Sequence, residues 1–167
     1  MRRLLNFLLV LGIAVVTQWA IIKYAPNVIY KIAVRRSNHP VNQWVNANKT
    51  DAAMRQVVLP NPDFIYSALF YDVNSKDLVL TGLFPDSVYA SLAFYDDRCQ
   101  PYYVYNNMAS HRKGPFWFTL TRWGRKEANY LQAKTNKGVI ICRFLVKNGG
   151  DFEKMKAYQQ KLSGTMR

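Results

Sequence analysis

Asn61, Asp63, Tyr66, Tyr89 and Tyr95 are the residues whose types and spacing come nearest to a site. The first three lie in Pro60-Asn61-Pro62-Asp63-Phe64-Ile65-Tyr66-Ser67, where two prolines fix a turn and the Asn and Asp side chains can bond nearby backbone. Tyr89 and Tyr95 belong to a second stretch of related pattern, Ser87-Val88-Tyr89-Ala90-Ser91-Leu92-Ala93-Phe94-Tyr95-Asp96. Two readings are open. In the preferred one the tyrosines stand on neighbouring strands as cross-strand aromatics, and Asp63 and Asp72 cap turns. In the other, these five side chains surround a pocket for a sugar or a lipid headgroup, with Asp63 as acid or base.

Other chemistry is poorly supplied. The only two histidines, His39 and His111, sit beside a proline and a basic residue, so a histidine-rich metal site is not expected. The sequence contains no Gly-x-Ser-x-Gly elbow, phosphate-cradling glycine loop or Cys-x-x-Cys pair. Ser67 and Ser91 have no identifiable base. Asp96 and Asp97 are adjacent, which on a strand would point them to opposite faces, so a turn suits them better. Arg112, Lys113 and Arg122 with Trp117 and Trp123 mix cations and aromatics as single-strand nucleic-acid platforms do, although an ordinary solvated edge is the preferred reading. No catalytic residue, cofactor, metal ion or nucleic-acid partner is expected.

The candidate residues need strands to hold them, and strand signals follow one another at short spacing. They cover Gln56–Leu59, Phe64–Val73, Leu78–Phe84, Val88–Tyr95, Tyr102–Tyr105, Phe116–Trp123, Tyr130–Ala133 and Val139–Val146. Turn formers such as Asn74-Ser75-Lys76-Asp77 and Thr135-Asn136-Lys137-Gly138 separate them. Fourteen per cent aromatic residues, eleven of them tyrosine, favour strands over helices. A mainly β fold is expected, an antiparallel sandwich or barrel-like sheet. Val41–Thr50 reads as an irregular connector with Trp44 as its anchor to the core. The Asn48-Lys49-Thr50 sequon matters only in a glycosylating host. After Gly149-Gly150, Asp151 is a good helix N-cap, and Phe152, Met155, Tyr158 and Leu162 recur at helical spacing over 151–163.

Within this β region the sequence resembles the bacterial family catalogued as domain of unknown function 1254, in a short membrane-anchored form. The resemblance rests on Asn61-Pro62-Asp63 with Tyr66-Ser67, on Tyr71-Asp72, on Tyr89, Ser91-Leu92 and Tyr95, and on the strand Gly138-Val139-Ile140-Ile141-Cys142-Arg143. It implies a β-rich, jelly-roll-like domain over most of residues 40–160. It also implies an association with a sister family numbered 1214, on the same chain or encoded separately. It supplies no catalytic residue.

Ahead of this domain, Leu4–Ile22 is an uncharged apolar run behind Arg2 and Arg3. As a helix it would extend about 28 Å, close to the hydrocarbon thickness of a bilayer. It is longer than a usual leader core of about 7–15 residues, and bulky residues stand where a peptidase wants small ones, so a retained anchor is preferred to a cleaved leader. Residues 1–50 hold seven Lys and Arg and no acid, while the remainder holds sixteen against ten. More than half of the net charge of +13 therefore lies in or beside the anchor, which suits anionic headgroups better than a nucleic-acid groove. From Pro26, a second helix with Val28, Ile29, Ile32 and Ala33 on one face would lie at the membrane interface or pack on the soluble domain. Lys23, Lys31, Arg35 and Arg36 are its candidate lipid-headgroup contacts. The expected division is an anchor over 1–25, a basic juxtamembrane segment over 26–50, and the β domain with its terminal helix over 51–167.

Flanking charge favours a cytoplasmic C-terminal side, but a leading Arg pair also works as an uncleaved export signal, and a periplasmic domain on a bacterial inner membrane is preferred. Cys99 and Cys142 are left open between two states. A disulfide closing about 43 residues would contribute roughly 4 kcal/mol, whereas Cys142 inside an apolar strand is equally natural as a small buried hydrophobe. The expected role is a non-catalytic interaction and assembly module for a membrane protein partner, with membrane lipids around it. Its rival is a binding protein or hydrolase for an envelope lipid or glycan.

Overall fold

Burial alternates along the longest strands, as it must where one face of a pleated sheet meets a core and the other does not. The computed structural model of this protein describes residues 1–48, 61–108, 113–124, 129–147 and 151–167. A long helix, α1 (Arg2–Ser37), is followed by β1 (Val45–Asn46), β2 (Phe64–Asp72), β3 (Leu78–Phe84), β4 (Ala90–Asp96) and β5 (Pro101–Asn106). Then come β6 (Gly114–Thr121), β7 (Tyr130–Gln132), β8 (Lys137–Leu145), α2 (Phe152–Gln159) and β9 (Ser163–Met166). One sheet runs β1-β2-β8-β4-β5 and is antiparallel throughout. The other runs β7-β6-β3-β9, antiparallel except for the parallel β6–β7 pair.

The two sheets enclose one apolar core, so the expected mainly β sandwich is what the chain forms. Leu69, Leu92, Phe94, Ile140 and Phe144 from the first sheet meet Leu78, Leu80, Phe84, Phe116, Phe118 and Leu120 from the second. Aromatic rings interlock at the centre of this interface, with centroids of Phe84 and Phe116, and of Tyr105 and Phe118, each 4.7 Å apart. Cys142 is one of the core residues and Cys99 is exposed in the β4–β5 turn; both are free thiols, so no disulfide joins them.

Several elements differ from the sequence reading. β1 occupies part of the expected connector, held on β2 by the Val45↔Ala68 and Asn46↔Ser67 register. Trp44 does pack against the core, as expected of the connector's anchor. The terminal helix stops at Gln159, and the chain turns back as β9 onto β3, so Leu162 is buried outside the helix. Asp151 precedes α2 but makes no side-chain cap hydrogen bond. The expected strand over Gln56–Leu59, Lys49 and Thr50 of the sequon, His111 and Arg112 fall outside the described residues.

Pro26 is not a helix boundary. α1 continues through it as one element of 36 residues, about 54 Å long. Proline has no N–H to offer the carbonyl of Ile22, which lies where the apolar run ends and water can take the place of that donor. Among the described residues one helix, α1, is long and apolar enough to cross a membrane, and its apolar stretch is uncovered by the sandwich.

Candidate functional site

One end of the central strands of the five-stranded sheet places Tyr66 on its outer face, with Asn61, Asp63 and Tyr89 in the adjoining loops. Tyr66 on β2, Arg143 on β8 and Ser91 on β4 are register partners, so their side chains stand in one row. Arg143 Nε donates to Ser91 Oγ at 2.8 Å. Its guanidinium carbon lies 5.9 Å from the Phe64 ring centroid and 6.0 Å from that of Tyr89, at the outer limit of cation–π attraction. Phe64 and Tyr89 meet edge to face at 6.1 Å, and Phe64 and Tyr66 are 6.3 Å apart. The result is an arginine seated against aromatic rings, with one donor spent on a fully buried serine. Among the described residues Arg143 forms no ion pair.

The neighbouring loops fix this cluster. Asn61 Oδ1 accepts from the Asp63 N–H at 2.9 Å, and its carbonyl accepts from the Phe64 N–H at 3.1 Å, closing the turn that starts β2. The Asn61 N–H donates to the Tyr66 hydroxyl at 3.2 Å. Asn61 thus does the capping expected of Asp63, whose carbonyl accepts from the Val146 N–H at 2.7 Å while the residue itself is exposed. Asp72 does cap its turn, accepting from the Asn74 N–H at 3.1 Å. On the Tyr89 side, Asn107 is buried; its Nδ2 donates to the carbonyls of Pro85 and Val88, each at 2.6 Å, and its Oδ1 accepts from the Ala90 N–H at 2.9 Å. Asn107 therefore holds the residues on both sides of Tyr89.

Tyr95 is not part of this cluster. It pairs with Val139 at the far end of β4, four residues from Ser91 or about 13 Å along the strand. Its carbonyl accepts instead from the hydroxyl of Tyr71 at 3.2 Å, and Tyr71 lies 3.3 Å from Tyr102 across their hydroxyls. Burial raises both phenols above their ordinary range, which keeps them protonated and able to donate. Arg143, Ser91 and Phe64 were not among the sequence candidates for the site. The signal for Arg143 was present, because the outward positions of β8 read Lys137, Val139, Ile141, Arg143, Leu145, with the arginine flanked by apolar side chains.

The four helix cations go to different places. Lys23 Nζ lies 4.5 Å from the Trp19 ring centroid and 5.5 Å from that of Tyr24. Lys31 and Arg35 line a cleft between α1 and the sandwich, and Arg36 is exposed outside it. The apolar face expected to matter, Val28, Ile29, Ile32 and Ala33, is exposed, and α1 meets the sandwich through Tyr30. The Tyr30 hydroxyl donates to the Gly138 carbonyl at 3.2 Å, and its ring is 6.2 Å from Phe70.

Among the described residues no group of three or more His, Cys, Asp or Glu is placed to hold a metal ion. What the Arg143 cluster can do is bind. An arginine flattened on aromatic rings keeps the far edge of its planar fork for a carboxylate or phosphate, while the rings supply apolar contact area.

Residues 41–166 match the family described as "Protein of unknown function (DUF1254)". No curated protein matches the chain. Among solved structures, the VPA0106 protein from Vibrio parahaemolyticus is similar at a TM-score of 0.66 and 16% identity, over 86% of this chain and 35% of that one. An uncharacterized protein from Burkholderia cenocepacia is similar at 0.55 and 17%, over 83% of this chain and 37% of that one. The likeness is one of fold, and this chain spans little more than a third of the length of either protein.

Proposed function

The chain belongs to the DUF1254 family, and on that premise we propose that it is a membrane-tethered, non-catalytic interaction module that docks a membrane protein and helps assemble an envelope complex. The observation that carries this reading is Arg143, set among Phe64, Tyr66 and Tyr89 on the outer face of a sheet. Arginine and tyrosine seated in rigid surroundings are the side chains that dominate protein–protein interfaces. A separately encoded protein of the sister family numbered 1214 is the candidate partner. In this reading Leu4–Ile22 crosses a bacterial inner membrane and the sandwich stands on its periplasmic side, so a C-terminal phosphatase fusion is active; activity confined to the cytoplasm would reverse the orientation.

The test of the role is gentle detergent extraction of the tagged full chain, affinity capture and mass spectrometry. The expected result is one membrane protein recovered with the native chain and reduced about tenfold or more by Arg143→Glu, at an unchanged melting temperature. Recovery of the chain with no partner sensitive to Arg143 would defeat the assembly reading.

A further inference from the structure

Where α1 leans on the sandwich it leaves a cleft of about 260 Å³, at the low end of small-molecule pockets and of a size for a headgroup rather than a whole lipid. Lys31 and Arg35, one helical turn apart, stand on the α1 wall, and Asp97 stands on the sandwich wall. Between them Asp72 and Lys137 neutralise each other at 2.9 Å. Lys31, Arg35 and Asp97 form no ion pair among the described residues. The cleft thus offers two uncompensated cations on one side and one uncompensated carboxylate on the other, with Val34, Val41 and Tyr30 supplying apolar surface.

Its height matches the charge pattern. At about 1.5 Å per residue, Asn27 at the lower rim lies roughly 8 Å, and Lys31 roughly 14 Å, along the helix beyond Ile22. The headgroup layer on each side of a bilayer is about 5–8 Å deep, so the rim opens at its outer edge, with Lys31 about 6 Å and Arg35 about 12 Å of helix above it.

We infer that this cleft is a binding site for the headgroup of a zwitterionic membrane phospholipid. The phosphate sits against Lys31 and Arg35, and the ammonium faces Asp97. Free inorganic phosphate shares the first half of this chemistry but has no ammonium and no acyl chains to bring it to the rim.

The experiment uses the full chain in detergent micelles doped with phosphatidylethanolamine, with phosphatidylglycerol, or with inorganic phosphate alone, and reads retained molecules by native mass spectrometry. Phosphatidylethanolamine is expected to be retained about tenfold over phosphatidylglycerol, and Lys31→Gln with Arg35→Gln is expected to lose that retention about tenfold. Asp97→Asn is expected to abolish the preference between the two lipids while keeping phosphate-dependent retention. The control is Lys23→Gln with Arg36→Gln, which removes the same charge outside the cleft. Equal loss in the control would reduce the effect to general surface attraction and overturn the site. Unchanged retention in the Lys31/Arg35 variant, or inorganic phosphate displacing the lipid at equal concentration, would overturn it too. All of these variants are at surface positions and are compared at matched melting temperature.

Discussion

At the residue scale the decisive positions are those where a side chain is fixed by what surrounds it. Gly138 is one. A Cβ there would collide with the Tyr95 carbonyl and with the Tyr71 hydroxyl and ring, the groups that meet at the end of β8. Gly138→Ala is therefore expected to cost about 1–3 kcal/mol by overpacking, read as a lower denaturation midpoint with an unchanged slope. Asn107 is another, because its truncation strands the carbonyls of Pro85 and Val88 and the Ala90 N–H in a buried place. Asn107→Ala should cost about 2–3 kcal/mol and loosen Tyr89 from Arg143, visible as a weakened aromatic-shifted Arg143 side-chain signal in NMR spectra. Asn61, Tyr66 and Tyr89 were legible from the sequence because turn formers and aromatics mark their own neighbourhoods. Arg143 was not chosen, and Tyr95 stands apart from the other candidates, because both placements depend on register. Only the pairing of β8 between β2 and β4 shows which residues share a row.

At the element scale the strands were easier to read than their pairing. Alternation and turn residues place β2, β3 and β8 to within a residue or two, since burial on one face imposes the period. β1 and β9 escaped, being short and polar with no periodicity; tertiary pairing alone makes them strands. The turns also carry the pH response. Asp96 is buried, and although burial opposes its charge, hydrogen bonds from the Gln100 and Arg98 N–H groups and the Lys134 ammonium at 3.1 Å hold its carboxyl below the ordinary range. Asp72 is likewise lowered against burial by Lys137 and Asn74. A depressed folded-state pKa gives stability that is present above the unfolded value of about 4 and disappears as pH falls through the folded one. Stability should therefore be level near neutrality and drop below about pH 4. Asp96→Asn should flatten that drop, as measured by chemical denaturation at a series of pH values.

At the scale of the whole molecule, α1 and the sandwich touch through Tyr30, the one buried residue of the helix. The apolar half of α1 was readable in the sequence, but the docking was not, because a lone tyrosine in a basic segment has no pattern to announce it. Tyr30→Ala should free the two parts. Exposed Cys99 provides one natural spin-label site, buried Cys142 is shielded from the reagent, and Ile32→Cys on the exposed side of α1 provides the second. The distance distribution between these labels should be narrow in the native background and broad after Tyr30→Ala. An equally narrow distribution would show that the hydrogen bond to Gly138 is dispensable.

The unbroken passage of α1 through Pro26 sets an altitude and a heading. On the proposed membrane placement α1 runs on for fifteen residues past Ile22, the sandwich meets it from about 8 Å beyond Ile22 at Asn27 upward, and the Tyr30 bond opposes swivelling. Under the proposed function a body held in this way would search for its partner in a plane, with its contact face already turned to a set bearing. Much of the translational and rotational freedom that two free proteins surrender on meeting is gone before they meet, so a small contact area suffices for a lasting association. Under the same reading the strut would exclude partners whose matching surface stands at another height.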